Sequence, residues 1–373
     1  MAAPLLNPLP VTVVVAAFEE AALLRRALDS VARQRPRPPA EVIVVDDGSS
    51  DETAAVAAEL GARVIRHAAN RGASVARNSG IRAARQPWVA LLDHDDEWLP
   101  HHLATLWELR DGHVLVAASA LWCGADPSED RLHCVPPQGA LVLRSPASLL
   151  YPGNMIALSA TMVRRDDLLA VNGFVQSHGV ADLDLWVRLL ERGTAVVSPT
   201  LTTLYHLHER QTSRDVRAMQ AAHLSVATSF AGRPWWSRAL VERWRGRTAW
   251  NNLRSALRRG RLREAALEAA VIAARPARAR GAAEAWFRSG RLRRRSAGVA
   301  RDGCPSVAVL GGPGQLELAR RELEGRPVVD LTGLGRAAAL IRLARRPSGV
   351  VYVGSAGQAR LVRLLGIEVA RNA

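Results

Sequence analysis

Apolar and polar positions along the first 95 residues repeat one unit: a short apolar run, a polar loop, then apolar residues at helical spacing. Val11 to Ala16 is continuously apolar, as a strand covered on both faces should be. Leu23, Leu24, Ala27, Leu28 and Val31 follow as a helical stripe able to pack back on a sheet. Glu41 to Val45 reads as a second strand and runs into Asp46-Asp47-Gly48-Ser49-Ser50-Asp51, where Asp51 is placed to cap a helix running to Leu60. Arg63 to Arg66 and Trp88 to Leu92 supply two more short strands. Strand, loop and helix in alternation predict an α/β fold with a mainly parallel sheet. Ligands of such sheets bind outside the carboxyl ends of the strands, so the acidic loops after Ala16, Val45 and Leu92 are expected to face one cleft.

From about Asp215 to Ser296 the pattern becomes helical and basic, with Trp235, Trp236, Trp244, Trp250 and Trp286 spread among arginines. Gly232-Arg233-Pro234, Gly246 and Gly260 are predicted to divide it into short helices. After Cys304 an α/β pattern returns, with Ser306 to Leu310, Val328 to Leu331 and Val350 to Val353 as strands; at about 70 residues this unit is near the lower size limit for an independent fold. Gly311-Gly312-Pro313-Gly314 could cradle a phosphate at a helix start, although a full dinucleotide fingerprint is missing and the unit could equally serve association. The expected organisation is a nucleotide-binding domain over 1–214, a helical Arg/Trp-rich segment over 215–303 and a small β-α-β-type unit over 304–373.

A chain of 373 residues exceeds one typical hydrophobic core, and 48% hydrophobic with 23% charged residues is an ordinary globular balance. No apolar run approaches the ~20 residues of a spanning helix. Met1 to Pro10 has no basic start and three prolines, which argues against a secretory signal. The expected compartment is the cytoplasm, with the inner face of the membrane as a peripheral station. Cys123, Cys134 and Cys304 are odd in number and widely spaced, so they imply neither a disulfide framework nor a zinc site.

The net charge of +15 is carried wholly by arginine, since the sequence contains no lysine. Much of the excess lies between Arg233 and Arg301, away from the acidic loops, which points to an anionic surface partner rather than a basic active site. Arg258, Arg259, Arg261 and Arg263, then Arg291, Arg293, Arg294 and Arg295, could meet anionic lipid headgroups at about 1 kcal/mol each. Amphipathic helices with Trp and Arg suit that interface; a solvated helical linker is the plainer alternative. Aromatics among arginines can also stack nucleic-acid bases, but these tryptophans fall at helical spacings that pack helices together, and no nucleic acid is expected.

Leu91-Leu92-Asp93-His94-Asp95-Asp96-Glu97-Trp98 is an apolar strand delivering a carboxylate cluster. Like charges this close are costly unless something positive sits among them, and a divalent cation held by oxygen ligands is the usual answer. A solvated acidic turn is the alternative. Three segments precede the cluster: Ala17-Phe18-Glu19, Asp46-Asp47-Gly48-Ser49, and Asn70-Arg71-Gly72 with Ala76-Arg77-Asn78-Ser79-Gly80. An aromatic can pack on a nucleobase, an aspartate can accept from a base N–H or a ribose hydroxyl, and Arg77 could neutralise a diphosphate. Singly these residues read as core, turn former and surface ion pair; their joint order is what carries the functional reading.

In this order the segments resemble the family-2 glycosyltransferases over about Pro10 to Ser213, which implies a GT-A-type fold. The resemblance implies that Ala17, Phe18, Glu19 and Asp46 line the nucleotide, with Asp47 adjacent. The family's Asp-x-Asp motif falls on Asp93, which would reach the ribose, and Asp95, which would bind a divalent cation, Mg²⁺ or Mn²⁺, bridging the diphosphate. Asn172-Gly173-Phe174 and Ala181-Asp182-Leu183-Asp184-Leu185-Trp186 look like the family's Gly-Gly-Phe and Glu-Asp-x-Asp-Leu-Trp segment. Its general base falls on Asp182, while Ala181 stands where the family has Glu; Asp184 reads as a cap or structural hydrogen-bonding residue. Leu204 to Ser213 resembles the Tyr-Arg-x-His segment, with His206 in place of the arginine and His208 as a metal ligand. Asn154 lies where the family's acceptor side begins and could bond donor sugar or acceptor, or simply form a turn.

The activity this implies is inverting transfer of a sugar from a nucleoside-diphosphate sugar to a hydroxyl of a glycan, glycolipid or lipid-linked saccharide. A sugar nucleotidyltransferase is a rival, though its glycine-rich opening with Arg and Lys is missing here. A nucleic-acid- or membrane-binding protein built on the Arg/Trp-rich segment is the other.

Overall fold

A computed structural model describes residues 7–123, 131–133, 139–151, 153–175, 180–208 and 216–284. The elements are, in order, β1 (Leu9–Ala17), α1 (Ala21–Ala32), β2 (Pro39–Asp46), α2 (Thr53–Glu59), β3 (Arg63–Arg66), α3 (Ala73–Ala83), β4 (Trp88–Asp93), β5 (Glu97–Trp98), α4 (His102–Glu108), β6 (Leu115–Cys123), β7 (Arg131–His133), β8 (Leu141–Leu143), α5 (Ala147–Leu150), β9 (Thr161–Arg164), α6 (Arg165–Ala170), α7 (Ala181–Leu190), β10 (Ala195–His206), α8 (Val216–Ser229), α9 (Arg238–Arg258) and α10 (Leu262–Ala273). They fall into two compact units, and Ser145–Asn154 clusters with the second, which otherwise begins at Asp215. The β-α-β series expected after Cys304, and Trp286 with the arginines of 291–295, lie outside the described residues.

The first unit is a ten-stranded sheet in the order β3-β2-β1-β4-β9-β6-β10-β5, with β7 on β6 and β8 on β10. β3, β2, β1 and β4 run parallel, as do β6 and β10. β9 enters antiparallel between β4 and β6. The α/β class with long parallel pairings is therefore as the alternation predicts. The apolar runs form the core: Val11, Val13, Val15, Val44, Ala90 and Leu92 are fully or almost fully buried, packed with Leu24, Ala27 and Val31 of the α1 stripe. Gly80 lets α3 lie close on β1, because a Cβ there would stand 2.4 Å from Val14 Cγ1. The N-cap position of α2 falls on Glu52 rather than Asp51, but Asp51 Oδ1 accepts from the Thr53 N–H at 3.0 Å and its Oδ2 from the Ala21 N–H at 3.2 Å, tying α1 to the same carboxylate.

His102, buried in α4, stacks on Trp98 with ring centroids 4.1 Å apart, and its Nδ1 lies 2.9 Å from Thr202 Oγ1. Burial, helped by the neighbouring charge of His101, holds its pKa well below the ordinary imidazole value. The unfolded chain therefore binds a proton the native state rejects, so His102 destabilises the fold as pH falls below about 6.5. Between about pH 7.5 and pH 5.5 the melting temperature of the wild type should fall further than that of His102→Phe, which keeps the ring but not the titration. Thermal denaturation at both pH values checks this; equal falls would remove His102 as a source of acid sensitivity.

The second unit is helical. Gly232 at φ 92° and Gly260 at φ 69° stand at the predicted breaks, and Ser237 caps α9 by accepting from the Leu240 N–H at 3.2 Å. Gly246 is a correction to the expected pattern. It lies inside α9, a single helix of 21 residues. Its lack of a side chain serves packing: a Cβ would stand 1.9 Å from the Arg278 carbonyl oxygen, and one on Gly281 would stand 2.0 Å from that of Arg243. α9 and the helical residues 276–284 thus cross with backbone against backbone. The tryptophans serve the same packing. Trp236 Nε1 donates to the Ala227 carbonyl at 2.6 Å, Trp244 stacks on His223 at 6.0 Å and Trp235 meets Phe230 at 5.6 Å. No helix among the described residues is long and apolar enough to cross a membrane.

Candidate donor and metal site

The carboxyl ends of three neighbouring strands finish level. Ala17 pairs with Asp46 across β1 and β2, and Ala16 with Asp93 across β1 and β4. The loops leaving these ends are stitched together. The Glu19 N–H donates to Ser49 Oγ at 3.0 Å, the Ser50 hydroxyl donates to Glu19 Oε1 at 2.8 Å, and Glu19 itself holds φ 50°. Ala17 is buried, whereas Phe18 at the loop tip is 37% exposed, which removes it from the core and leaves its ring available.

Asp46 and Asp47 do different work. Asp46 is fully buried; its Oδ1 accepts from the Ser49 N–H at 2.9 Å, and Arg66 Nε stands 3.1 Å from Oδ2. Asp47 is committed to the chain itself. Its Oδ2 accepts from the Arg71 and Gly72 N–H groups at 3.0 and 2.7 Å, and its Oδ1 lies 2.6 Å from His67 Nδ1. Gly48 makes the turn that follows them at φ 83°, with no room for a Cβ, which would fall 2.6 Å from the Ala69 carbonyl carbon.

Arg77, on α3, donates to Asp93 Oδ1 at 2.5 Å, and its guanidinium lies 5.4 Å from the centre of the Phe174 ring. Asp93 closes β4, and its N–H donates to Ser159 Oγ at 3.0 Å. Oxygens of Asp93, Asp95 and Asp96 all lie within 4.8 Å of one another. His208 Nε2 lies 2.8 Å from Asp95 Oδ2. Burial tends to raise the Asp95 pKa, but the His94 charge and the bond from His208 prevail and hold it below the ordinary carboxylate value. Burial, then the charges of Asp95 and Asp93, push the Asp96 carboxyl well above that range, against hydrogen bonds from Ser159 Oγ and the His206 N–H. Crowded carboxylates with hard oxygen donors and an adjacent imidazole fit a divalent cation, whose charge would relieve the strain on Asp96.

The second half of the site is a clamp. Asn78 Nδ2 donates to the Phe174 carbonyl and its Oδ1 accepts the Phe174 N–H, both at 2.8 Å, so one amide side chain replaces a strand partner. Asn172 and Gly173 both adopt φ 62°, and a Cβ on Gly173 would lie 2.2 Å from Asn78 Oδ1. Arg188 binds this turn from α7, donating to the Val171 and Gly173 carbonyls at 2.5 and 2.8 Å. Asp184 orients Arg188, accepting from its Nε at 2.7 Å, which is the structural hydrogen bond expected of it. Asp182 stands in the first turn of the same helix, half-buried.

Ala17, Phe18, Glu19, Asp46, Asp47, Arg77, Asp93, Asp95 and His208 thus gather around one sheet end, from strand ends, loops and α3, in the first unit with Asp182. Asn154 belongs to the second unit. Gln211, Thr212 and Ser213, which flank His208, lie outside the described residues. Sequence reading passed over Ser159, Arg188 and His67. Ser159 and Arg188 act through partners scores of residues away or across a turn, with no local signal; His67 follows a predicted strand directly and could have been flagged by position.

A family-wide sequence description, Glycosyl transferase family 2, matches residues 12–161. Among curated relatives, succinoglycan biosynthesis protein ExoO of Rhizobium meliloti is 42% identical over 112 residues, 29% of this chain and 32% of that protein. ExoU of the same organism is 30% identical over 210 residues, 50% of this chain and 58% of that protein. The pre-mycofactocin glycosyltransferase of Mycobacterium tuberculosis is 30% identical over 60% of this chain and 48% of its own length. The chain therefore spans about a third to three fifths of these relatives. Two solved structures share the fold: S. aureus TarS 1-349 in complex with UDP-GlcNAc, 17% identical with TM-score 0.51 over 63% of this chain and 70% of that one, and mannosyltransferase PcManGT from Pyrobaculum calidifontis in complex with GDP-Man and Mn²⁺, 21% identical with TM-score 0.50 over 74% and 80%. Family match and fold agree with the resemblance read from the sequence: residues 12–161 match glycosyl transferase family 2, and they lie on an α/β sheet of the GT-A type.

Proposed function

We propose that this chain transfers a sugar, with inversion, from a nucleoside-diphosphate sugar to a hydroxyl of a glycan, glycolipid or lipid-linked saccharide. The observation that carries the reading is the Asp93, Asp95 and Asp96 cluster at the end of β4, level with Ala17 and Asp46. A nucleotide lies across Ala17, Phe18, Glu19 and Asp46, with Asp93 toward the ribose, and Arg77 exchanges part of its pairing with Asp93 for the diphosphate. Asp95 and His208, with Asp96 beside them, would hold Mg²⁺ or Mn²⁺, which would supply charge stabilisation to the departing diphosphate. Asp182 takes the proton of the acceptor hydroxyl as its oxygen bonds to the anomeric carbon, while the bond from that carbon to the diphosphate oxygen breaks on the opposite face. Asn154 is assigned to the sugar or acceptor side.

The UDP-GlcNAc and the GDP-Man with Mn²⁺ bound by the two similar structures support a nucleotide-sugar donor and a cation. The succinoglycan biosynthesis relatives support a place in envelope polysaccharide assembly. Work in the cytoplasm, peripheral at the inner membrane face through the arginine-rich helices, follows from a lipid-linked acceptor. A sugar nucleotidyltransferase is disfavoured by the loop after β1, which reads Ala16-Ala17-Phe18-Glu19 rather than a glycine-rich opening. The three-domain division at 214 and 303 stays part of this proposal.

The test is a binding and hydrolysis screen of nucleotide sugars with and without Mn²⁺, on the wild type and Asp95→Ala. Cation-dependent release of one nucleoside diphosphate, reduced at least about 10²-fold in the variant, is expected. A wild type that binds no nucleotide sugar under any condition would end the transferase reading.

A further inference from the structure

His67 carries no role in the proposed chemistry, yet it closes a chain of hydrogen bonds that joins β2, β3 and α3. It follows β3 directly, and its own N–H extends the strand pairing by donating to the Asp46 carbonyl at 2.9 Å. Its buried imidazole has Nδ1 2.6 Å from Asp47 Oδ1 and Nε2 3.0 Å from Ser79 Oγ. Ser79 Oγ also lies 3.1 Å from the Val75 carbonyl, one turn back along α3. At the other end of the chain, Asp47 Oδ2 accepts the Arg71 and Gly72 N–H groups, and Gly72 is the residue from which α3 starts. A carboxylate at this point also suits the positive end of the helix. The imidazole therefore grips α3 twice, through Asp47 at its first residue and through Ser79 two turns further on.

What α3 carries makes the grip matter. Arg77 reaches from it to Asp93, and Asn78 reaches from it to the Phe174 backbone. Arg77 and Asn78 lie just before Ser79, so the lateral position of both is set where His67 holds the helix. We infer that His67 is a positioning residue for donor binding, fixing Asp47 and Ser79 so that Arg77 stands against the acidic cluster. This rests on the transferase reading. Asp47 then acts on the nucleotide through the backbone it organises rather than by touching it. The spacing of the contacts also dictates which replacement works: an asparagine amide nitrogen takes the place of Nδ1 and can still donate to Asp47, whereas leucine fills the space and offers nothing.

The test compares the wild type with His67→Leu and His67→Asn in two measurements. Amide hydrogen exchange over residues 68–80 should quicken in His67→Leu and stay near wild type in His67→Asn. Steady-state kinetics should show the donor KM rising about tenfold in His67→Leu, the size of one charge-assisted hydrogen bond, with kcat within about twofold and most of the rise recovered in His67→Asn. Unchanged exchange in His67→Leu overturns the grip itself. Quickened exchange with an unchanged donor KM overturns the positioning role. A loss confined to kcat, or equal effects of Leu and Asn, would likewise overturn it. A wild type without nucleotide-sugar binding removes the transferase reading instead, and the exchange measurement, which needs no donor, tells the two failures apart.

Discussion

Asp182→Asn is expected to lower kcat by about 10²–10⁴-fold, the range for loss of a general base, with donor affinity kept within a few fold. Asparagine matches aspartate in shape but cannot accept the acceptor hydroxyl's proton. The helix that carries it, α7, is tied to the Val171–Phe174 turn through Asp184 and Arg188. A matched variant, Asp184→Asn, separates the two aspartates. It weakens the hold on Arg188 and should cost stability, about 1–3 kcal/mol, before it costs chemistry. Turnover with donor and acceptor, donor titration and thermal denaturation on both variants check the pair. Asp182→Asn turning over within tenfold of the wild type would remove Asp182 as base.

Gly246→Val is expected to unfold or grossly loosen the second unit, a cost of at least about 3 kcal/mol. Nearly all overpacking is relieved by side chains that swing aside, but here the obstacle is the Arg278 carbonyl, backbone of the crossing segment, with a Cβ placed 1.9 Å away. α9 would have to slide off residues 276–284. That would strip the ion pairs that converge there: Glu242 with Arg278, and Glu284 with Arg243, whose guanidinium also covers the Tyr151 ring at 4.4 Å. Gly260→Ala supplies the comparison, since nothing lies within 4 Å of its Cβ and only its positive φ is lost, at a cost of about 1 kcal/mol. Urea unfolding followed by tryptophan fluorescence, to which Trp236, Trp244 and Trp250 of this unit contribute, compares the two. Gly246→Val within about 1 kcal/mol of Gly260→Ala would contradict the close crossing.

Much of the first unit was legible because its signals are local. The apolar runs at Val11, Glu41, Arg63 and Trp88 became β1 to β4 with ends moved by no more than two residues. Asp93, Asp95, Asp46 and Phe18 were legible for the same reason, because they end or closely follow buried strands. Strand order was not. β9 sits between β4 and β6 because Trp88 meets Arg164 and Leu115 meets Val163, pairings over some fifty to seventy-five residues that no periodicity announces. Asn78 and Arg188 were opaque likewise, since a side chain that binds backbone elsewhere looks locally like any polar helix residue. Gly246 misled because glycine breaks helices in general, while at a backbone crossing only glycine fits.

The insertion of β9 also fixes an order of events during synthesis. β1 to β4 can pair as soon as Asp93 has emerged, but the far edge of β4 has no partner until Thr161 appears, sixty-eight residues later. At about 5–20 residues per second that edge stays bare for roughly 3–14 s on the ribosome. Its inner residues, Val89, Ala90, Leu91 and Leu92, are all apolar, the composition that recruits foreign strands. Slow translation through residues 94–160 would lengthen that exposure, and overexpression of a chain truncated before β9 should yield aggregates rather than a smaller folded sheet.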